Sequence, residues 1–281
     1  MTTRSLHKII PSIPVSDGAG VKLRRSLGQS QGLRLDPFLM LDEFASDNPD
    51  DYIAGFPAHP HRGFETVTYM LAGDFQHEDH LGHKGHLRGG GAQWMTAGRG
   101  IIHSEMPLQQ SGRLHGFQFW INLPAAEKMK PAAYRDIQPE DIPLQQIAGG
   151  SVRVVAGSVA RPDGQPLPGP IQGLSTAPLF LDVRLDAGQR FSQAVDAGHT
   201  AFLYPYAGSV NVGTAALPAR QVGVLSAGER IEVTAGSDGA GFLLLAARPL
   251  GEAVVQYGPF VMNTREEIEQ ALDDYRAGTL T

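Results

Sequence analysis

Strict alternation of apolar and polar positions is the first pattern this chain offers. His115, Phe117, Phe119, Ile121 and Leu123 take every second place in residues 114–123, and Pro124 follows them. A period of two marks a half-buried β-strand, and proline lacks the N–H needed to extend the ladder. Residues 65–73 are rich in β-branched side chains and end on the turn residue Gly73. Residues 179–185, 201–204 and 241–245 are further short apolar runs, bounded by Gly, Pro or Asp. Only the last segment changes period. Ile268, Ala271, Leu272 and Tyr275 follow at helical spacing behind the capping box that begins at Thr264, and Gly278 stands at the C-cap. The pattern predicts an all-β body closed by a C-terminal α-helix at about 264–277.

Composition supports that architecture. The 281 residues include 34 Gly and 20 Pro, as frequent turns between short strands require. Hydrophobic residues make up 42% and charged residues 19%, enough to bury a core and too ordered a mixture for global disorder. The net charge of −6 and the lack of any Lys/Arg run argue against a nucleic-acid groove or an anionic membrane surface. With no cysteine, disulfides, thiolate nucleophiles and zinc–cysteine sites are excluded. No stretch reaches the ~18 apolar residues of a bilayer span, and residues 1–33 hold no signal-peptide core. The expected location is cytoplasmic.

The chain divides into two expected domains: residues 1–124, a linker at 125–135 with one helical turn, and residues 136–281. The Gly- and Pro-rich stretch 161–173 reads as a loop within the second domain. A faint repeat links the halves. Thr96-Ala97-Gly98 returns 130 residues later as Ser226-Ala227-Gly228. At that offset His103 falls on Val233 and Glu105 on Ala235, so the second half has lost the polar residues of the first.

Eight of the ten histidines lie between residues 59 and 115. His59-Pro60-His61 puts two imidazoles on one face of an extended strand, since alternate side chains share a face. His103-Ser104-Glu105 does the same for an imidazole and a carboxylate. Facing each other inside a small barrel, His59, His61, His103 and Glu105 would offer three nitrogen donors and one oxygen donor. Such a set suits Fe(II), Mn(II), Co(II), Ni(II) or Zn(II) and leaves coordination positions open for chemistry. Glu65 shares the parity of His59 and His61, and His115 shares the face of the aromatic strand; both are candidates for pocket lining or for outer support of a ligand. His77, His80, His83 and His86 recur every third residue in a Gly-rich segment and read as a solvated loop, with His77 the candidate to support a ligand histidine from outside. A phosphate loop, a Gly-x-Ser-x-Gly elbow and a His-Glu-x-x-His helix are all missing.

The arrangement Gly55-x3-His59-x-His61-x3-Glu65-x7-Gly73, with Gly98 and His103 further on, resembles the two motifs of cupins. Longer stretches resemble the pirin family: residues 36–44, residues 59–67, Gln93 to Pro107, and residues 258–264. The resemblance implies two cupin, jelly-roll-like β-barrels face to face, with metal in the N-terminal barrel alone. Pirin-type sites use three His and one Glu, which map to His59, His61, His103 and Glu105; the general cupin pattern would use Glu65 instead. The implied cofactor is one divalent metal ion, typically iron.

The same resemblance implies two functions. One is a dioxygenase similar to quercetin 2,3-dioxygenase, which opens a flavonol or related polyphenol ring with O2 and releases CO; its partners are a small aromatic substrate and O2, with Glu105 as ligand and base. The other is a redox- or metal-dependent regulator acting through a protein partner, as transcription cofactors and metabolic regulators do.

Overall fold

The computed structural model describes residues 2–30 and 32–281. Its sheets are built of antiparallel strand pairs, with isolated parallel bridges at Thr3–Arg230, Arg62–Phe260 and Ala156–Ile171, and the helix Arg265–Ala277 lies near the C-terminus. Thr264 caps that helix by accepting from the Glu267 backbone N–H, Glu267 accepts in return from the Thr264 N–H, and Gly278 turns left-handed at its end. The predicted helix and its signals coincide. Of the predicted strands, residues 65–73 form Phe64–Ala72 and residues 114–123 form Leu114–Asn122, while Leu179–Leu185 appears as expected. Residues 201–204 and 241–245 are parts of the longer strands Thr200–Val212 and Arg230–Ala247.

The strands group into two compact units, and these do not follow the halves of the chain. The histidine-bearing unit joins Ile13–Pro139 to Leu250–Thr281; the other joins Glu140–Pro249 to the N-terminal segment up to Ser12. These compact units differ at both ends from the division at 124 and 136 read from the sequence. Leu6–Pro11 pairs with Gln221–Leu225 in the sheet of the second unit, and the C-terminal helix packs Ile268 and Ala271 with Phe260, Met262 and Ile102 of the first. Such pairings join residues far apart in the chain, so no local pattern announces them. The expected linker 125–135 is also built into the fold. Its Lys128 is buried and donates to the Gly63 carbonyl at 2.7 Å, Asn122 Oδ1 at 2.6 Å and the Val261 carbonyl at 3.0 Å. Ala133–Ile137 then pairs with Ala92–Thr96. The stretch 161–173, read as a loop, contains half of a short hairpin, Ser158–Ala160 with Pro166–Pro168.

Within the histidine-bearing unit, a sheet of seven strands has Phe64–Ala72 and Leu114–Asn122 paired at its middle. A second sheet has the order Phe56–His61, Ile101–Pro107, Phe75–Asp79, Lys84–Leu87. Gly63 makes the turn from one sheet to the other. Its φ is +90°, and a Cβ there would strike the Val261 carbonyl oxygen, so only glycine fits. That turn delivers His61 to one sheet and Phe64 to the other. Phe44, Met70, Phe75 and Leu114 form a hydrophobic cluster in this unit.

The second unit has a sheet with Arg230–Ala247 between Thr200–Val212 and Leu179–Leu185. Its core is aliphatic and aromatic: Val154, Leu181, Leu203, Val233, Phe242 and Leu244 among others, all nearly inaccessible. Val233 and Ala235, the positions that echo His103 and Glu105, both lie in this core.

Candidate metal centre

Two neighbouring strands supply the cluster. Phe56–His61 and Ile101–Pro107 run antiparallel, with His59 opposite His103 and His61 opposite Ile101. Alternation then puts His59, His61 and His103 on one face. Their ring centroids lie 4.4 Å (His59–His103), 4.7 Å (His59–His61) and 5.0 Å (His61–His103) apart. One nitrogen from each falls within 4.8 Å of the others. Among the described residues, no other group of three or more His, Asp or Glu converges in this way.

The hydrogen bonding suits donation to a cation. His59 Nδ1 lies 2.8 Å from the Pro57 carbonyl, which leaves its Nε2 for the cluster. His61 Nδ1 and His103 Nε2 are buried and have no hydrogen-bond partner. Buried nitrogens of this kind cost stability unless something takes their lone pairs or protons. Burial, and then the neighbouring imidazoles, push both His61 and His103 well below the usual histidine range; the Pro259 carbonyl opposes this weakly at His61. Both rings are therefore neutral at pH 7, the form that binds metals. Three convergent imidazoles, two of them neutral with unsatisfied buried nitrogens, fit a single divalent transition-metal ion.

Glu105 stands two residues beyond His103, past a register shift in the pairing with Phe56–His61. Its carboxylate accepts from Thr68 Oγ1 at 3.0 Å and from Gln118 Nε2 at 3.0 and 3.2 Å. The nitrogens that come within 4.8 Å of one another belong to the three histidines, and no Glu105 oxygen joins that group. His77 lies directly behind His103, its Nε2 3.0 Å from His103 Nδ1. His80 and His83 are exposed in the turn between Phe75–Asp79 and Lys84–Leu87, with His83 held by Asp79 at 2.8 Å, while His86 is exposed on the strand Lys84–Leu87 itself.

Glu65 and His115 lie elsewhere. In the pairing of the two central strands, Thr68 faces Gln118 and Glu65 faces Ile121, so Glu65 and His115 share the sheet face opposite Thr68 and Gln118. Glu65 accepts from Trp94 Nε1 at 3.0 Å and Thr96 Oγ1 at 2.7 Å. His115 pairs with Glu43 at 2.9 Å. The alternating face His115-Phe117-Phe119-Ile121 is deeply buried, which explains its apolar pattern, while the pocket takes the other parity, Gln118 and Trp120. Gln118, Trp120 and Thr68 escaped the sequence reading. Their only signal was a Gln and a Trp at the positions where solvent-facing residues were expected.

A cavity of about 580 Å3 opens beside His59 and His61. Leu39, Met40, Phe56 and Trp120 supply apolar walls, and Gln118 a polar one. Trp120 stands edge-on to His61, with ring centroids 5.3 Å apart, and its Nε1 has no hydrogen-bond partner. Arg25 also lines the cavity and is held by Asp42 at 2.8 and 2.7 Å and by Asp17 at 2.7 Å. Burial pushes Asp42 up to about 6 against the pull of Arg25.

Known proteins agree with this architecture. The family model described as Pirin matches residues 20–121, and the one described as Pirin C-terminal cupin domain matches residues 180–281. A Pseudomonas aeruginosa protein provisionally named quercetin 2,3-dioxygenase is 53% identical over 270 residues, covering 95% of this chain and 94% of its own. Human Pirin is 41% identical over 267 residues, covering 93% and 88%. The crystal structure of quercetin 2,3-dioxygenase from Acinetobacter baumannii superposes with a TM-score of 0.91 at 32% identity, covering 99% of both chains. On these grounds the chain belongs to the pirin family and carries its two cupin domains.

Proposed function

We propose that this protein is a dioxygenase with one metal ion, taken to be Fe(II), that opens a flavonol or a related polyphenol with O2 and releases CO. The observation that carries this reading is the cavity of about 580 Å3 bordered by two of the three convergent histidines. Its size falls within the ~300–1,000 Å3 of small-molecule pockets. The similarity to proteins named quercetin 2,3-dioxygenase supports the substrate class.

In this reading His59, His61 and His103 would hold the metal, and Glu105, which stands outside their group in this structure, would be the fourth ligand. The bound ion would supply Lewis-acid and redox chemistry toward an electron-rich ring and O2. The chain's own residues do the rest. Glu105 takes the proton of the substrate 3-hydroxyl; Thr68 and Gln118 donate to its carboxylate and hold it in place. A positioned base of this kind contributes roughly 10²–10⁴-fold. The apolar walls of Leu39, Met40 and Phe56 bury the rings and exclude water. One O2 is consumed and one CO leaves for each ring opened, so no outside reductant is needed.

The test is oxygen uptake and CO release by iron-loaded protein with quercetin and a flavonol panel. Turnover lost in both His61→Ala and Glu105→Ala is the expected result. Stoichiometric iron with no oxygen uptake on any member of the panel would reject the reading and favour a regulatory role through a protein partner.

A further inference from the structure

His77 sits on Phe75–Asp79, opposite Glu105 in the antiparallel register, and is almost fully buried. Its Nε2 lies 3.0 Å from His103 Nδ1. Two ring nitrogens at that separation share one proton, and each neutral imidazole carries one. The second proton of the pair must therefore sit at one of its two ends, His103 Nε2 or His77 Nδ1. Both of those end nitrogens are buried and without a hydrogen-bond partner. A cation on His103 Nε2 needs the lone pair there. It thereby assigns both protons: His103 Nδ1–H donates to His77 Nε2, and His77 carries its own proton on Nδ1.

The surroundings of His77 favour that assignment. Burial pushes His77 below the usual histidine range, against the pull of the Glu105, Asp136 and Asp79 carboxylates, so the ring is neutral and carries a single proton. The Tyr134 ring stands edge-to-face with it at 5.0 Å. We propose that His77 is the positioning residue of the metal site: it accepts the Nδ1 proton of His103, fixing that ring's orientation and keeping its Nε2 lone pair free for the cation. Carbonyls, carboxylates and waters usually fill this role behind a metal-bound histidine. An imidazole fills it without adding negative charge, so the site keeps the charge set by its ligands.

The inference rests on reading His59, His61 and His103 as ligands, and is independent of the substrate. It is tested by titrating metal-free, full-length protein with zinc against a chromophoric chelator, for the wild type, His77→Leu and His77→Gln. Loss of the acceptor in His77→Leu should weaken zinc binding about 10–100-fold, and the side-chain carbonyl of His77→Gln should restore most of it. Nitrogen-15 NMR of the zinc-loaded wild type should show His103 protonated on Nδ1, with a downfield hydrogen-bonded proton. Equal zinc affinity in His77→Leu, or zinc on His103 Nδ1, overturns the proposal. If His77→Leu does not fold, His77→Gln and the wild-type spectrum decide. A wild type that binds no zinc would remove both this inference and the metal-dependent function. Zinc bound as described, with no oxygen uptake by the iron form, would remove the dioxygenase alone.

Discussion

In the histidine-bearing unit, Ile101–Pro107 presents His103 and Glu105, with His59 and His61 on the strand beside it. At the same sequence offset in the second unit, Arg230–Ala247 presents Val233 and Ala235 to a core that includes Phe191, Val210 and Phe242. The flanking pattern survives, with Thr96-Ala97-Gly98 answered by Ser226-Ala227-Gly228 and Ile101 by Ile231. A β-scaffold of this type can therefore be closed either by apolar packing or by a polar cluster around a cation. The first closure stabilises through area removed from water. The second leaves buried nitrogens unsatisfied until a ligand arrives.

The sharpest way to break this contrast is to delete a ligand. His103→Ala should lower metal affinity by more than the ~100-fold upper range of outer-shell changes, read by chelator competition. A change smaller than tenfold would mean that the cluster does not act as one site. The converse experiment truncates the apolar unit. Phe242→Ala should cost about 3–5 kcal/mol by cavity formation, measured by denaturant unfolding, with zinc affinity at the histidines unchanged. Grafting polarity is the next smaller effect. Val233→His should cost about 1–3 kcal/mol for an unsatisfied buried polar group and should create no second metal site by metal analysis.

Acid should separate the units in a graded way. His61 and His103 titrate below their unfolded value when the protein is folded and metal-free. Between the folded value and the unfolded value of about 6.5, the unfolded chain binds more protons, so stability is full above that pH and falls as pH drops below it. Replacing both histidines by Phe should flatten this acid limb in a stability–pH profile; an unchanged slope would show that other groups set it. The smallest effect concerns the helix. Thr264→Ala removes the cap and should cost about 1 kcal/mol, seen as faster amide exchange in Arg265–Ala277.

Periodicity made some of this legible in advance. The capping box and the spacing of Ile268, Ala271 and Leu272 located the helix because all its determinants lie within a few residues. His59-x-His61 announced shared faces for the same local reason. Parity without a partner misled at Glu65 and His115. Alternation tells which residues share a face, and only the packed sheet tells which face meets the cavity. The aromatic parity of Leu114–Asn122 looked like the lining of the site, and the site lies behind Gln118 and Trp120.

Sequence alone determined the β-rich body, the terminal helix, the three clustered imidazoles and the apolar replacement of their counterparts. Each of these depends on residue type and short-range spacing. Tertiary structure decided that the N-terminal strand joins the second unit and the C-terminal helix the first. It decided that Thr68 and Gln118 hold Glu105, and that His77 stands behind His103. Those partners are brought together by strand register and sheet closure, which are sums of many weak long-range contacts with no local signature.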